Sequence, residues 1–584
     1  MNKFKVNILA LGVVGLLGMS SCSESFLDVN SMTNSNTDNF YKTEADAWRA
    51  LIGCYNGWRQ TSTAPGIGFY VASTVMGDEC YGGTGNSDAR NYQVIDRFDQ
   101  SESPADLQMY AQDWKMYYQG VYRCNELITR EDQIKWKDKD SNRGLYMGEC
   151  HALRAFLYFD MVRLWGNIPL FLEPVNENRS QADPAEVYAA IFEDLKYAIA
   201  NIPGDANLEK SQFGRITKYA AEAILARAYL YYTGYYGQEP GFTNESGETT
   251  GVVTKAEALA AVEDVIASGN YELLDSYKDF WPASSLVANT TSAGWNEAAS
   301  TYAGDANSEV VLSMNFTPMA SYATEGSGSA DGNRWQVMMG MRSPLSVVPY
   351  YCGWGACTVI PSFINSIYDA ADPRRTAGVI DIAGEGIGSD ANFKPSYNDW
   401  REYTGYTVKK YSPIAFYQLE NGALVIKNAN MSTGAGDMQI NNCQSYNIIR
   451  YADVLLMAAE LGSPQAATYM HRIRSRAGLS DIPVNKENIM AERARELAFE
   501  GIRYWDLLRQ GVEVMADAVV ASAGSVQNGG SPAQVSYNRN KIIATKGLRR
   551  FPTIRLFFQT VCLSRTQVGL IDLKETHSYY TIIF

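Results

Sequence analysis

Glu496 and Glu500 stand one helical turn apart in "ERARELAFEGIRYWDLLRQG" (492–511), a spacing that puts two carboxyl groups on one face for acid/base work. Arginines interleave with them. Glu492–Arg495, Glu500–Arg503 and Asp506–Arg509 are each three residues apart, the spacing of helical ion pairs. The stretch therefore reads as an ion-paired structural helix, with Ala494, Leu497, Ala498, Gly501, Trp505 and Leu508 as its buried stripe. Another acidic pair lies in "GDE" (77–79), outside any recognisable hydrolase motif. Only His151, His471 and His577 are present, which nearly excludes a histidine metal site or a histidine-based triad.

Cys22 ends "LLGMSSC", after Lys3, Lys5 and an apolar run from Ile8 to Met19. That run has the length of a signal-peptide core and is too short to span a bilayer. The order resembles a bacterial lipoprotein signal: residues 1–21 are removed and Cys22 carries the lipid. The other eight cysteines are spread too widely for a compact disulfide scaffold. "CGWGAC" (352–357) is their one close pair, readable as an oxidised staple or as two free thiols.

A net charge of -14 argues against nucleic acid and anionic surfaces as partners. The 46% hydrophobic and 20% charged shares are those of a globular chain. The 38 tyrosines and 11 tryptophans are the outlier. Flat amphipathic rings fill cores, and they also form platforms for the C–H faces of sugars. Two regions combine such rings with Asp, Asn and Arg: "MGDECYGGTGNSDARNY" (76–92), and the middle of the chain around Trp281, Trp295, Arg334 and Tyr351. The candidate sugar platforms are Tyr81, Trp335, Tyr350 and Trp354, with Asp78 and Asn333 as polar partners. No loop shows the ordered ligand spacing of a calcium site, so structural calcium is conceivable but not indicated, and no cofactor is expected.

The elements that must position these residues are helices. Periodicity predicts them over 44–60, 106–128, 149–166, 184–203, 216–237 and 255–273, and again over 448–463, 464–479 and 488–511. Alanine recurs inside them, as at Ala220–Ala223 and Ala258–Ala261, which lets neighbouring helices approach closely, as in stacked tetratricopeptide arrays. Between about 276 and 445 the texture turns to Gly, Ser, Asn, Thr and Trp, the composition of a long, loop-rich insert.

The 492–511 helix resembles the C-terminal signature of SusD/RagB-family outer-membrane lipoproteins. Other landmarks follow in family order: Cys22 with "SFLDV", "ALRAFLYFDMVRLWGNIPL" (152–170), "RITKYAAEAILARAYLY" (215–231), "NSEVVLSMNF" (307–316), "DPRR" (372–375), "TGYTVKKY" (404–411) and "IIRYADVLLMAAE" (448–460). The resemblance implies a mostly α-helical fold of four tetratricopeptide-like helix pairs with a variable loop face, over residues 22–548. It also implies a surface-exposed, lipid-anchored, non-catalytic receptor at the outer membrane. Such a receptor captures oligosaccharides for a SusC-like TonB-dependent transporter. A peptide-binding member of the family and, further off, a surface glycoside hydrolase are the competing readings.

One departure stands out. Family members end in a segment like "PIPDNEI…NPGY/W", whereas residues 549–584 are basic, apolar and off-pattern. Codons can be chosen so that 551–569, read one frame over, spell "PDNQIILSDGLLKQNPGW". A frameshift near residue 549 is therefore expected, with 549–584 non-native.

Overall fold

The computed structural model describes residues 40–63, 68–88, 90–99, 109–137, 141–175, 177–286, 300–316, 332–343, 345–428 and 441–549. Residues 1–39, with the signal and Cys22, lie outside the described residues, as does the tail beyond 549.

Helices build the frame, close to where periodicity placed them: α1 (Glu44–Thr63), α2 (Ala111–Thr129), α3 (Arg143–Trp165), α4 (Pro184–Asn201), α5 (Lys218–Tyr236) and α6 (Lys255–Ala267). After the insert come α7 (Tyr451–Leu461), α8 (Ala466–Arg476), α9 (Lys486–Glu496) and α10 (Arg503–Leu508). Neighbours pack pairwise as α1 with α2, α3 with α4, α5 with α6, and α7 with α8. These are the four tetratricopeptide-like pairs of a mostly helical fold.

Local chemistry sets the boundaries. Asp183 caps α4 with Pro184 in its first turn, and Thr254 with Glu257 forms a capping box on α6. Gly166 ends α3 at φ 72°, a conformation that costs glycine little. Small residues allow the close approach. Ala220, Ala223, Ala226 and Ala228 of α5 are fully buried, and a Cβ on Gly57 of α1 would lie 2.9 Å from the Cα of Gly120 on α2.

Two of the expected helices are corrected. Residues 448–450 belong to a strand, and 488–511 is two helices rather than one. The break falls at Phe499 and Gly501, whose φ values are 62° and 73°. It is held by the Phe499 N–H donating to Glu79 Oε1 at 2.7 Å and by Tyr70 Oη donating to the Phe499 carbonyl. The stripe from Ala494 to Leu508 is buried as expected, although no single helix presents it.

The insert has structure of its own and recruits a strand from the N-terminal part of the chain. Strands β1 (Cys80–Gly82), β3 (Cys357–Val359), β4 (Val379–Asp381) and β5 (Tyr406–Val408) form an antiparallel sheet in the order β1-β3-β5-β4. β2 (Val310–Met314) pairs with β6 (Tyr446–Arg450), tying the insert to the root of α7. A separate apolar cluster around Tyr350, Ile380, Phe393 and Trp400 stiffens the outer part. Among the described residues no disulfide is formed, and Cys352 and Cys357 are both buried outside one. Among those residues no helix is long and apolar enough to cross a membrane.

Candidate functional site

Glycines fix the site's backbone. The strand β1 runs into "GGTG" (82–85), which lies flush against "GWG" (353–355). A Cβ on Gly83 would come within 2.2 Å of the Gly355 carbonyl oxygen, and one on Gly353 within 2.5 Å of the Gly340 Cα. No larger residue fits without moving backbone. The 353–356 segment is strapped to the short helix Arg334–Met339 and the residues after it. Gly353 donates to the Met341 carbonyl, Trp354 to that of Val337, Gly355 to that of Gly340 and Ala356 to that of Met338, all at 2.7–2.8 Å.

Trp354 therefore sits on rigid backbone with its ring half-buried. The Arg334 guanidinium lies 6.0 Å from the ring centroid. Beside it Arg342 donates to Asp399 Oδ2 from Nε at 2.9 Å and to Asp88 Oδ2 from Nη1 at 2.9 Å. These carboxylates are 40% and 43% exposed, so their remaining lone pairs face water. Asn86 and Arg90 are exposed nearby in sequence, and the Asn86 amide donates to the Asn398 carbonyl at 2.9 Å. The arrangement joins a partly buried aromatic ring to planar, bidentate hydrogen-bonding groups. That combination can hold adjacent sugar hydroxyls while the ring packs on a C–H face.

The other five sequence candidates are not surface groups. Trp335 is 2% exposed and boxed by Tyr70, Tyr411 and Tyr446. Tyr81 is buried and donates its hydroxyl to the Ser522 carbonyl. Tyr350 is buried and donates to Glu385 at 2.6 Å. Asn333 caps the Arg334–Met339 helix and donates its amide to the Gln444 carbonyl. Asp78 is held by Arg503 through bonds of 2.9 and 2.7 Å. A ring with no open face cannot stack on a sugar, so Tyr81, Trp335 and Tyr350 are corrected to packing residues. Asp78 and Asn333 are corrected to partners of protein groups. The residues that sequence reasoning missed are Asp88, Arg342 and Asp399, which only the fold brings together.

The acidic pairs are equally committed. Glu79 is fully buried, and burial together with the neighbouring Asp78 carboxylate pushes it up to about 8. Glu496 and Glu500 lie inside among Arg374, Arg450, Arg476 and Lys410. The Glu492–Arg495 and Asp506–Arg509 pairs form, at 3.5 and 2.9 Å, but Glu500 turns to Arg450 and Lys410 while Arg503 takes Asp78. Within the frame a cavity of about 40 Å³ is lined by Arg163, Arg227, Tyr231 and Trp505. It has room for a few waters and none for a sugar ring.

Residues 318–547 match the model of the SusD family, and residues 25–230 match one described as starch-binding, associating with the outer membrane. SusD-like protein P38 of Formosa agariphila is 24% identical over 555 residues, 88% of this chain and 94% of that protein. Among solved structures, a laminarin-binding SusD-like protein has a TM-score of 0.67 at 25% identity, covering 90% of this chain and 99% of its own. Surface glycan-binding protein A from Bacteroides thetaiotaomicron, in complex with laminarihexaose, has a TM-score of 0.69 at 22% identity, covering 90% and 100%.

Proposed function

Because this chain belongs to the SusD/RagB family, we propose that it is a cell-surface glycan receptor. It captures oligosaccharides on the Trp354 face and hands them to a SusC-like TonB-dependent transporter. The observation that carries the reading is the partly buried Trp354 ring on glycine-locked backbone, beside the Arg334 guanidinium and the Arg342–Asp88–Asp399 network. Packing contributes contact area without directional selectivity, and the carboxylates and guanidinium select the hydroxyl pattern. The rigidity matters because a platform already in place loses little conformational entropy on binding.

The proposed tether is a lipid on Cys22, and family membership supports the partner and its delivery role. The reading is of a binding protein rather than an enzyme, since the carboxylates of the described interior are tied to arginine, lysine or backbone groups. A laminarin-type β-glucan is the first ligand to try, because two similar proteins carry laminarin or laminarihexaose in their descriptions. Calorimetric titration with laminarin, xyloglucan and starch oligosaccharides tests the proposal. Saturable binding of at least one glycan, with no shortened product afterwards, supports it. Binding of a peptide pool with no response to any glycan would overturn it in favour of the peptide-binding alternative.

A further inference from the structure

Three neighbouring helices each bring one fully buried cysteine to a single point: Cys54 of α1, Cys124 of α2 and Cys150 of α3. Their sulfurs lie within 4.8 Å of one another, and Cys54 Sγ and Cys150 Sγ are 3.9 Å apart. This is the one group of three or more metal-ligating side chains so placed among the described residues. We propose that the three thiols form a binding site for a soft monovalent metal ion, copper(I), independent of the glycan face.

The geometry suits that class of ion. With one edge of 3.9 Å and the others no longer than 4.8 Å, an ion at the centre of the sulfur triangle sits about 2.3–2.6 Å from each sulfur, close to the length of a metal–thiolate bond. Zinc in a structural site takes four ligands, and a fourth is missing among the described residues. His151, the nearest histidine in sequence, has Nδ1 engaged by Asp194 at 2.5 Å. Thiolates select soft ions, and three of them satisfy copper(I), whereas calcium and magnesium take oxygen ligands. The helices hold the sulfurs firmly, since α1 and α2 cross through Gly57 and Gly120.

Charge is partly provided for. Binding releases the thiol protons to solvent and leaves a net negative complex in an apolar interior. Arg154 favours the Cys124 thiolate and Arg123 that of Cys54, while Asp194, the partner of Arg154, opposes the former. The bound ion would clip α1 to α2 and α3, the start of the helical frame.

The test uses the full chain carrying Cys22→Ala, unfolded under reductant and refolded anaerobically with copper(I) and a weak competing chelator. This route admits the ion despite the burial. The expected result is one copper retained per chain, near-ultraviolet thiolate-to-copper absorption, and a raised Tm. Cys54→Ser and Cys124→Ser should each weaken retention at least tenfold while keeping a native circular-dichroism spectrum, and Cys443→Ser should not. Retention unchanged in Cys124→Ser would overturn the proposal. So would a natively folded parent that retains no copper, or a Cys54–Cys150 disulfide in the copper-free protein.

Discussion

Arg450 and Glu500 meet inside the protein through two hydrogen bonds of 2.8 Å, Nε to Oε2 and Nη2 to Oε1. The arginine ends β6 and the glutamate sits in the break between α9 and α10. Lys410 from the insert reaches Glu500 at 2.6 Å, and Glu309 at the start of β2 joins Arg450 and Arg476. Segments far apart in the chain are thus locked by charges that cannot be solvated anywhere else. A buried pair contributes little over an apolar substitute, but breaking it strands a charge.

Glu500→Gln should therefore cost about 3–5 kcal/mol of stability. Urea unfolding of the variant and parent measures it. A loss below about 1 kcal/mol would mean that the network relaxes or hydrates, against the fully buried positions of its members.

Glu79 makes stability fall as pH rises. Its folded value of about 8 exceeds the ordinary 4.5, so between those limits the folded state keeps a proton that the unfolded chain has lost. The contribution is complete below about 4.5 and shrinks up to 8. Glu79→Gln cannot ionise and can still accept from the Phe499 N–H, so it should flatten the profile between pH 5 and 8 by about 3 kcal/mol. Denaturation at both pH values checks this, and identical profiles for parent and variant would contradict it.

How much was legible in the sequence follows from the range of each interaction. Helices α1 to α6 were visible because periodicity and caps are local, and Thr254 with Glu257 announces its own boundary. The break at Phe499 was not, because it depends on Glu79, 420 positions away. The site was half visible. Trp354 could be picked as an aromatic in a glycine-rich loop, but nothing in the sequence separates it from Trp335, whose ring is enclosed by tyrosines from three other segments. Asp88, Arg342 and Asp399 look like ordinary surface charges until the insert folds them together.

If the proposed lipid on Cys22 is the tether, Cys22→Ala should release the protein from the membrane fraction without changing its thermal unfolding. Fractionation followed by a melting curve tests this. Retention in the membrane fraction would contradict the anchor.

We propose that the tail from 549 results from a frameshift. The SusD family match ends at residue 547, close to where the expected ending is lost. Resequencing the gene should find a one-nucleotide insertion or deletion near codon 549 that restores "PDNQIILSDGLLKQNPGW". A clean reading frame would remove that explanation.

The most direct test of the account is the glycan affinity of Trp354→Ala, measured by calorimetry against the best oligosaccharide for the parent. The account predicts a loss of at least about tenfold, or 1.4 kcal/mol, in a variant that keeps a native circular-dichroism spectrum. Unchanged affinity in a folded variant would contradict the assignment of the Trp354 face as the place where glycans are captured.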